Sequence, residues 1–168
     1  RIDAYLKGRS ASRAVVVGGG FIGVEMAENL QRRGLDVTIV EFADQVVASL
    51  DPEMAQILHR HLTEHGVSLR LKTGLAGIAQ VDTGLQVELS DGSAIESDLV
   101  LLSIGVSPEN KLAKEAGLHL GVGNSIAVSA SYQTSDPNIY AVGDAIGVTH
   151  LVSGKETLVP LAGPANKQ

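Results

Sequence analysis

Apolar and polar positions follow two different periods along this chain, and the switch between them divides it. Ala14 to Val17 and Val37 to Val40 are short apolar runs, which predict buried strands; helices on both faces of the sheet are expected to cover them. Between them Ile22, Met26 and Leu30 recur at i, i+4 and i+8, with Gly23 and Ala27 in support. That spacing predicts a helix from about Gly20 to Arg33 with this stripe buried, Arg32 and Arg33 in its last turn and Gly34 as a left-handed cap. Asp51, Pro52 and Glu53 mark a second helix start, with Asp51 as the capping residue. This helix is expected to bury Met54, Ile57, Leu58 and Leu62 and to stop at Gly66. A strand at 67–71 follows, and residues 2–7 read as a short helix or a lead-in segment.

The period then shortens. Residues 75–81, 85–89 and 94–96 read as short strands joined by the hairpin signals DTG at 82–84 and DG at 91–92. An antiparallel meander thus stands where a crossover helix would be expected. Residues 99–104 return as a buried strand, and 108–116 form a short helix closed by Gly117. Beyond Leu118 the composition moves toward Gly, Ser, Asn and Thr; 126–128 and 139–142 read as short strands, and 148–168 has no clear period.

The first apolar run leads straight into a glycine turn. Gly18, Gly20 and Gly23 fit G-x-G-x-x-G, a weak pattern alone. Here it follows a strand and opens an amphipathic helix, the context of a dinucleotide site. Gly18 permits the tight turn, Gly20 lets backbone approach a pyrophosphate, and Gly23 lets helix and strand pack closely. The amides at the helix start, around Phe21 and Ile22, with the positive end of the helix dipole, suit phosphate. The predicted fold is therefore α/β: a three-layer Rossmann-type parallel sheet with an antiparallel β-meander insertion.

Glu41 ends the second strand, 18 positions after Gly23, where such a fold places an acid against the adenosine ribose hydroxyls. Its charge opposes a 2′-phosphate by about 1 kcal/mol in water and about 4 kcal/mol at an effective dielectric of 20. No Lys or Arg occurs from Phe42 through His59. The expected ligand is NAD(H) rather than NADP(H); the bland alternative for Glu41 is a solvated loop acid.

Composition narrows the classes. The chain has 168 residues, a formal charge of −6, no Trp, two Phe and no Cys. The charge argues against nucleic acid and anionic membranes, and no apolar run is long enough to span a bilayer. The absence of cysteine excludes a disulfide scaffold, thiolate metal sites and a cysteine nucleophile within these residues, and fits a cytoplasmic location. The chain begins at Arg1, and an excised piece of a longer protein is expected.

Two further segments carry a resemblance. Residues 134–144 (TSDPNIYAVGD) resemble the second flavin-binding fingerprint of the FAD-dependent pyridine nucleotide-disulfide oxidoreductases, with Gly143 and Asp144 at the FAD-binding positions. Residues 103–107 (SIGVS) resemble the turn that closes the family's NAD domain, with Gly105 at its glycine. The tail 159–168 (VPLAGPANKQ) is similar to the NADH oxidase and coenzyme A-disulfide reductase branch, in which this segment enters a helix against the flavin.

The resemblance implies an NAD(H) domain at about 10–116 and a returning segment of a split FAD domain at 117–168. The rest of the FAD domain and a dimerisation domain would lie elsewhere in a homodimeric parent. It implies hydride delivery from NADH to flavin N5, and little turnover by these residues alone. It also assigns Phe21 as an aromatic gate over the flavin, or else a packing residue. Glu25 lies near the nicotinamide, or else is an acid favoured by the helix dipole. A ferredoxin or rubredoxin reductase and a non-catalytic NAD-sensing module are the alternatives. HLTEH at 61–65 matches a zinc-peptidase pattern, but the helix ends at once and no third ligand is apparent, so no metal is expected. His119 and His150 are lone histidines.

Overall fold

A computed structural model describes residues 2–8 and 11–165. The chain divides into two compact units, residues 1–105 and 106–168.

The first unit is built on a four-stranded parallel sheet. Its strands are β1 (Arg13–Val17), β2 (Asp36–Val40), β3 (Val67–Arg70) and β7 (Leu99–Leu102), in the order β3-β2-β1-β7. Helix α1 (Ile2–Gly8) precedes β1, while α2 (Phe21–Arg32) and α3 (Pro52–Glu64) connect β1 to β2 and β2 to β3. In place of a third crossover helix stands the antiparallel meander β4 (Leu75–Val81), β5 (Gly84–Leu89) and β6 (Ala94–Ser97).

The pleat sends alternate residues of β1 to opposite faces. Ala14 and Val16 join Ala27 and Leu30 of α2 and Leu62 of α3 in one core. Val15 and Val17 join Val40 and the meander residues Val87 and Leu89 in the other. The layers are thus helices, parallel sheet and meander. Helices were expected on both sheet faces; the meander covers the second, because its own inward apolar residues meet the odd-numbered face of β1.

The helices also turn a different face inward from the one their large apolar residues mark. On α2 the buried positions are Gly23, Ala27 and Leu30, while Ile22 is exposed and Met26 only half-buried. On α3 they are Ala55, His59 and Leu62, while Met54 and Ile57 are exposed. On α2 the small residues Gly23 and Ala27 at i and i+4 let the helix backbone come close to the sheet, and bulky neighbours are displaced to its flank. Asp51 makes no side-chain cap; its carbonyl accepts from the Met54 and Ala55 amides instead. Gly34 (φ +86) ends α2 as expected: its N–H donates to the Gln31 carbonyl, and that of Leu35 donates to Leu30.

Asp98, at the β6–β7 corner, ties the start of β1 in place. It accepts from the Ser12 and Arg13 amides, both at 2.9 Å, and pairs with the Arg13 guanidinium at 3.1 Å. The guanidinium above all, then the Ser12 amide, holds its carboxyl far below the ordinary carboxylate range.

The second unit has α4 (Lys111–Glu115), the two-residue strands β8 (Val148–Thr149) and β9 (Glu156–Thr157), and α5 (Ala162–Ala165). The short helix forms later than expected, three residues after Pro108, and Gly117 (φ +73) closes it. The strands expected at 126–128 and 139–142 form only single bridges, Ile126 with Leu120 and Ile146, and Tyr140 with Gln133. Among the described residues no strand ladder extends these bridges. Asn166 to Gln168 of the tail motif lie outside the described residues.

Candidate functional site

Strand order sets the site. The chain winds outward from β1 to β2 and β3, then returns to the other side of β1 as β7. At such a reversal the loops beyond the carboxyl ends of the strands diverge and leave a crevice. A cleft of about 610 Å³ lies there, lined by residues that include Gly18, Gly20, Glu41, Phe42, Ser103 and Gly105.

Two glycines of the turn, Gly18 and Gly23, have no room for a side chain. Gly18 has φ +101, and a Cβ on it would stand 2.5 Å from the Ser103 carbonyl oxygen. A Cβ on Gly23 would collide with the Gly18 carbonyl oxygen and the Ser103 hydroxyl. Gly20 differs: a Cβ there would meet nothing within 4 Å, so its bare backbone borders open space. Gly20 precedes α2 without a side-chain cap, and its carbonyl accepts from the Val24 amide. The first amides of α2 have no acceptor within the helix, so the turn offers donors and positive potential to an anion.

Glu41 stands at the end of β2. One carboxylate oxygen accepts from the Gly19 amide at 2.5 Å and the other from the Ala43 amide at 2.7 Å. A carboxylate has about four acceptor positions, so two remain for other donors. Glu41 thus braces the glycine turn as well as facing the cleft, a role its place in the sequence does not announce. The structure also adds cations that the linear loop lacks. The Arg70 carbonyl accepts from the Glu41 amide, and the Lys72 amide donates to the Ala43 carbonyl, so both residues adjoin the 41–43 segment.

Ser103 is a further site residue that its sequence position does not reveal. Its hydroxyl hydrogen is shared between the Val17 and Gly18 carbonyls, at 3.0 and 2.8 Å, and locks the end of β1 to the end of β7. Gly105 (φ +123) completes the cleft wall beyond it. Phe42, 82% exposed, stands at the rim over Gly74. Phe21, Ile22 and Glu25 lie exposed on the first turns of α2, outside the cleft walls.

In the second unit Gly143 (φ +93) and the exposed Asp144 form a turn after Val142, and the Gly143 carbonyl accepts from the Ile146 amide. His61 and His65 sit ring to ring, 4.2 Å between centroids, at the exposed end of α3. The described residues contain no group of three or more candidate metal ligands and no helix long and apolar enough to cross a membrane.

Residues 2–164 match the family profile of the pyridine nucleotide-disulphide oxidoreductases. An NADH oxidase of Methanocaldococcus jannaschii is 39% identical over 165 residues, 98% of this chain and 36% of that protein. The crystal structure of reduced CoADR-RHD from Bacillus anthracis superposes with a TM-score of 0.94 at 50% identity, over 99% of this chain and 30% of that one. An NAD-dependent persulfide reductase from A. fulgidus superposes with a TM-score of 0.92 at 38% identity, over 99% and 31%. The chain spans about a third of the length of these relatives.

Proposed function

Because the chain belongs to the pyridine nucleotide-disulphide oxidoreductase family, we propose that its first unit is the NAD(H)-binding part of an FAD-dependent oxidoreductase. The observation that carries this is the pairing of Glu41 with the glycine turn at the mouth of the cleft. The open space beside Gly20 and the cleft beyond it suit a dinucleotide. The chemistry the cofactors supply is hydride transfer from nicotinamide C4 to flavin N5.

The residues of this chain bind and orient. The turn from Gly18 to Gly23 holds the pyrophosphate on the amides of α2. Glu41 takes the adenosine ribose hydroxyls with its two remaining acceptor positions, while its other two keep the Gly19 amide in place. Phe21 and Glu25, exposed beside the turn, face the nicotinamide end; Gly105 walls the opposite side. In the second unit, the Gly143–Asp144 turn serves the FAD ribityl and pyrophosphate region. Leu151 and Val152, 98% and 92% exposed, fit a surface that another part of the parent protein covers.

The electron acceptor is a disulfide, persulfide, coenzyme A disulfide, oxygen or an electron-transfer protein. With no cysteine in these residues, any thiol exchange takes place on groups outside them. Calorimetric titration tests the cofactor choice. NADH is expected to bind at least about tenfold more tightly than NADPH, a gap of ~1.4 kcal/mol. Glu41→Ala should narrow that gap by weakening NADH more than NADPH, for which Lys72 and Arg70 are the nearby cations. An unchanged ratio would remove Glu41 from the role.

A further inference from the structure

The geometry points to His59 as a positioning residue for the phosphate turn, acting at one remove through Val46 and Val47. The inference rests on the NAD(H) reading of the cleft and adds a residue that touches neither the cleft nor the turn.

His59 lies on α3, 8% exposed, on the face that also buries Ala55 and Leu62. Its Nε2 accepts the Val46 amide at 3.1 Å. Since Val46 supplies the hydrogen, Nε2 must present its lone pair, and the imidazole is held in the form with Nε2 unprotonated. The next amide, that of Val47, donates to the Gly19 carbonyl at 2.8 Å. The Val46 side chain closes on the same glycine, where an added Cβ would lie 2.9 Å from its Cγ1. Gly19 in turn donates its own amide to Glu41 at 2.5 Å. Both main-chain groups of Gly19 are therefore held, one by Glu41 and one by Val47.

Val47 adopts φ +48, a left-handed conformation that a β-branched residue takes only when its surroundings impose it. The segment from 41 to 51 has no helix or strand to do so. Successive amides there are pulled to two partners, Val46 to His59 and Val47 to Gly19, with both side chains buried and the Val47 carbonyl accepting the Leu50 amide. Remove the acceptor on α3 and the Val46 amide is buried without a partner. Val47 can then relax out of its left-handed state, and the Gly19 carbonyl loses its donor.

The test uses the intact protein, with NADH and ADP-ribose as probes in calorimetric titration. His59→Leu is expected to weaken both about tenfold, by equal factors, because the turn serves the pyrophosphate common to both. His59→Gln, which keeps an acceptor oxygen at similar reach, should bind within about twofold of the native protein. Leu62→Ala, a cavity on the same buried face, should lower thermal stability and leave both affinities unchanged. Native-like binding by His59→Leu would overturn the proposal, as would equal losses in His59→Leu and Leu62→Ala or a failure of Gln to rescue. If the Leu variant does not fold, Gln and the shorter Asn decide: Asn should lose about fivefold, and equal binding would overturn the proposal. Failure of the native protein to bind NADH would instead overturn the reading of the cleft.

Discussion

Each unit contains a glycine turn, and the two sit in opposite mechanical settings. From Gly18 to Gly23 the turn is gripped: Ser103 crowds Gly18 and Gly23, Val46 crowds Gly19, and Glu41 and Val47 hold the Gly19 peptide. At Gly143 an added Cβ would meet nothing within 4 Å, and the only buried hydrophobic residues described in that unit are Ala113 and Ile146. The first turn is shaped before any ligand arrives. The second has the backbone angle of a binding turn without the walls. A preorganised site loses little in ordering its groups at binding, and this favours the first turn for the proposed NAD(H) site.

The comparison breaks most visibly at Gly23. Gly23→Val drives a branched side chain into the Gly18 carbonyl and the Ser103 hydroxyl, and a loss of more than about 4 kcal/mol is expected in chemical denaturation. A stable variant would mean that the turn is looser than its contacts indicate. Next comes the anchor of the strand that carries the turn. Asp98→Ala should cost about 2 kcal/mol at neutral pH, the scale of a charge-assisted hydrogen bond.

The pH dependence of that contribution has a definite sign. Asp98 has a lower pKa folded than unfolded, so its stabilisation is complete above the unfolded value near pH 4. It fades as the pH falls below that toward the folded value. Native and variant unfolding curves should therefore converge in acid; a gap that stays constant down to pH 2 would contradict the pairing.

Gly20→Ala separates ligand approach from packing. Its Cβ enters open space at φ −71, so stability should shift by less than about 1 kcal/mol, while NADH binding weakens about tenfold, ~1.4 kcal/mol. The smallest effect belongs to the second turn. Gly143→Ala should cost about 1 kcal/mol for its positive φ and leave NADH affinity where it was.

Much of the first unit is legible in the sequence because its signals are local. The strand–glycine–helix passage, the hairpin signals of the meander and Glu41 after the second strand each depend on a few adjacent residues. What is not legible depends on partners far along the chain. Ile22, Met54 and Ile57 satisfy a helical stripe, yet the close approach of Ala27 and Ala55 to the sheet turns them outward. No local pattern marks His59, whose hydrogen bond comes from Val46 in the loop before α3. Ser103 matters only because β7 returns beside β1. In the second unit, apolar runs alone predict strands at 126–128 and 139–142, but a strand needs a neighbour, and these runs find only isolated bridges.

Amide hydrogen exchange with and without NADH, read residue by residue, tests directly whether the first turn holds the dinucleotide. Slowed exchange is expected at the amides from Gly19 through Ile22 and at Ala43, with residues 140–147 unchanged. Protection confined to residues 140–147, or none at the first turn at saturating NADH, would contradict it.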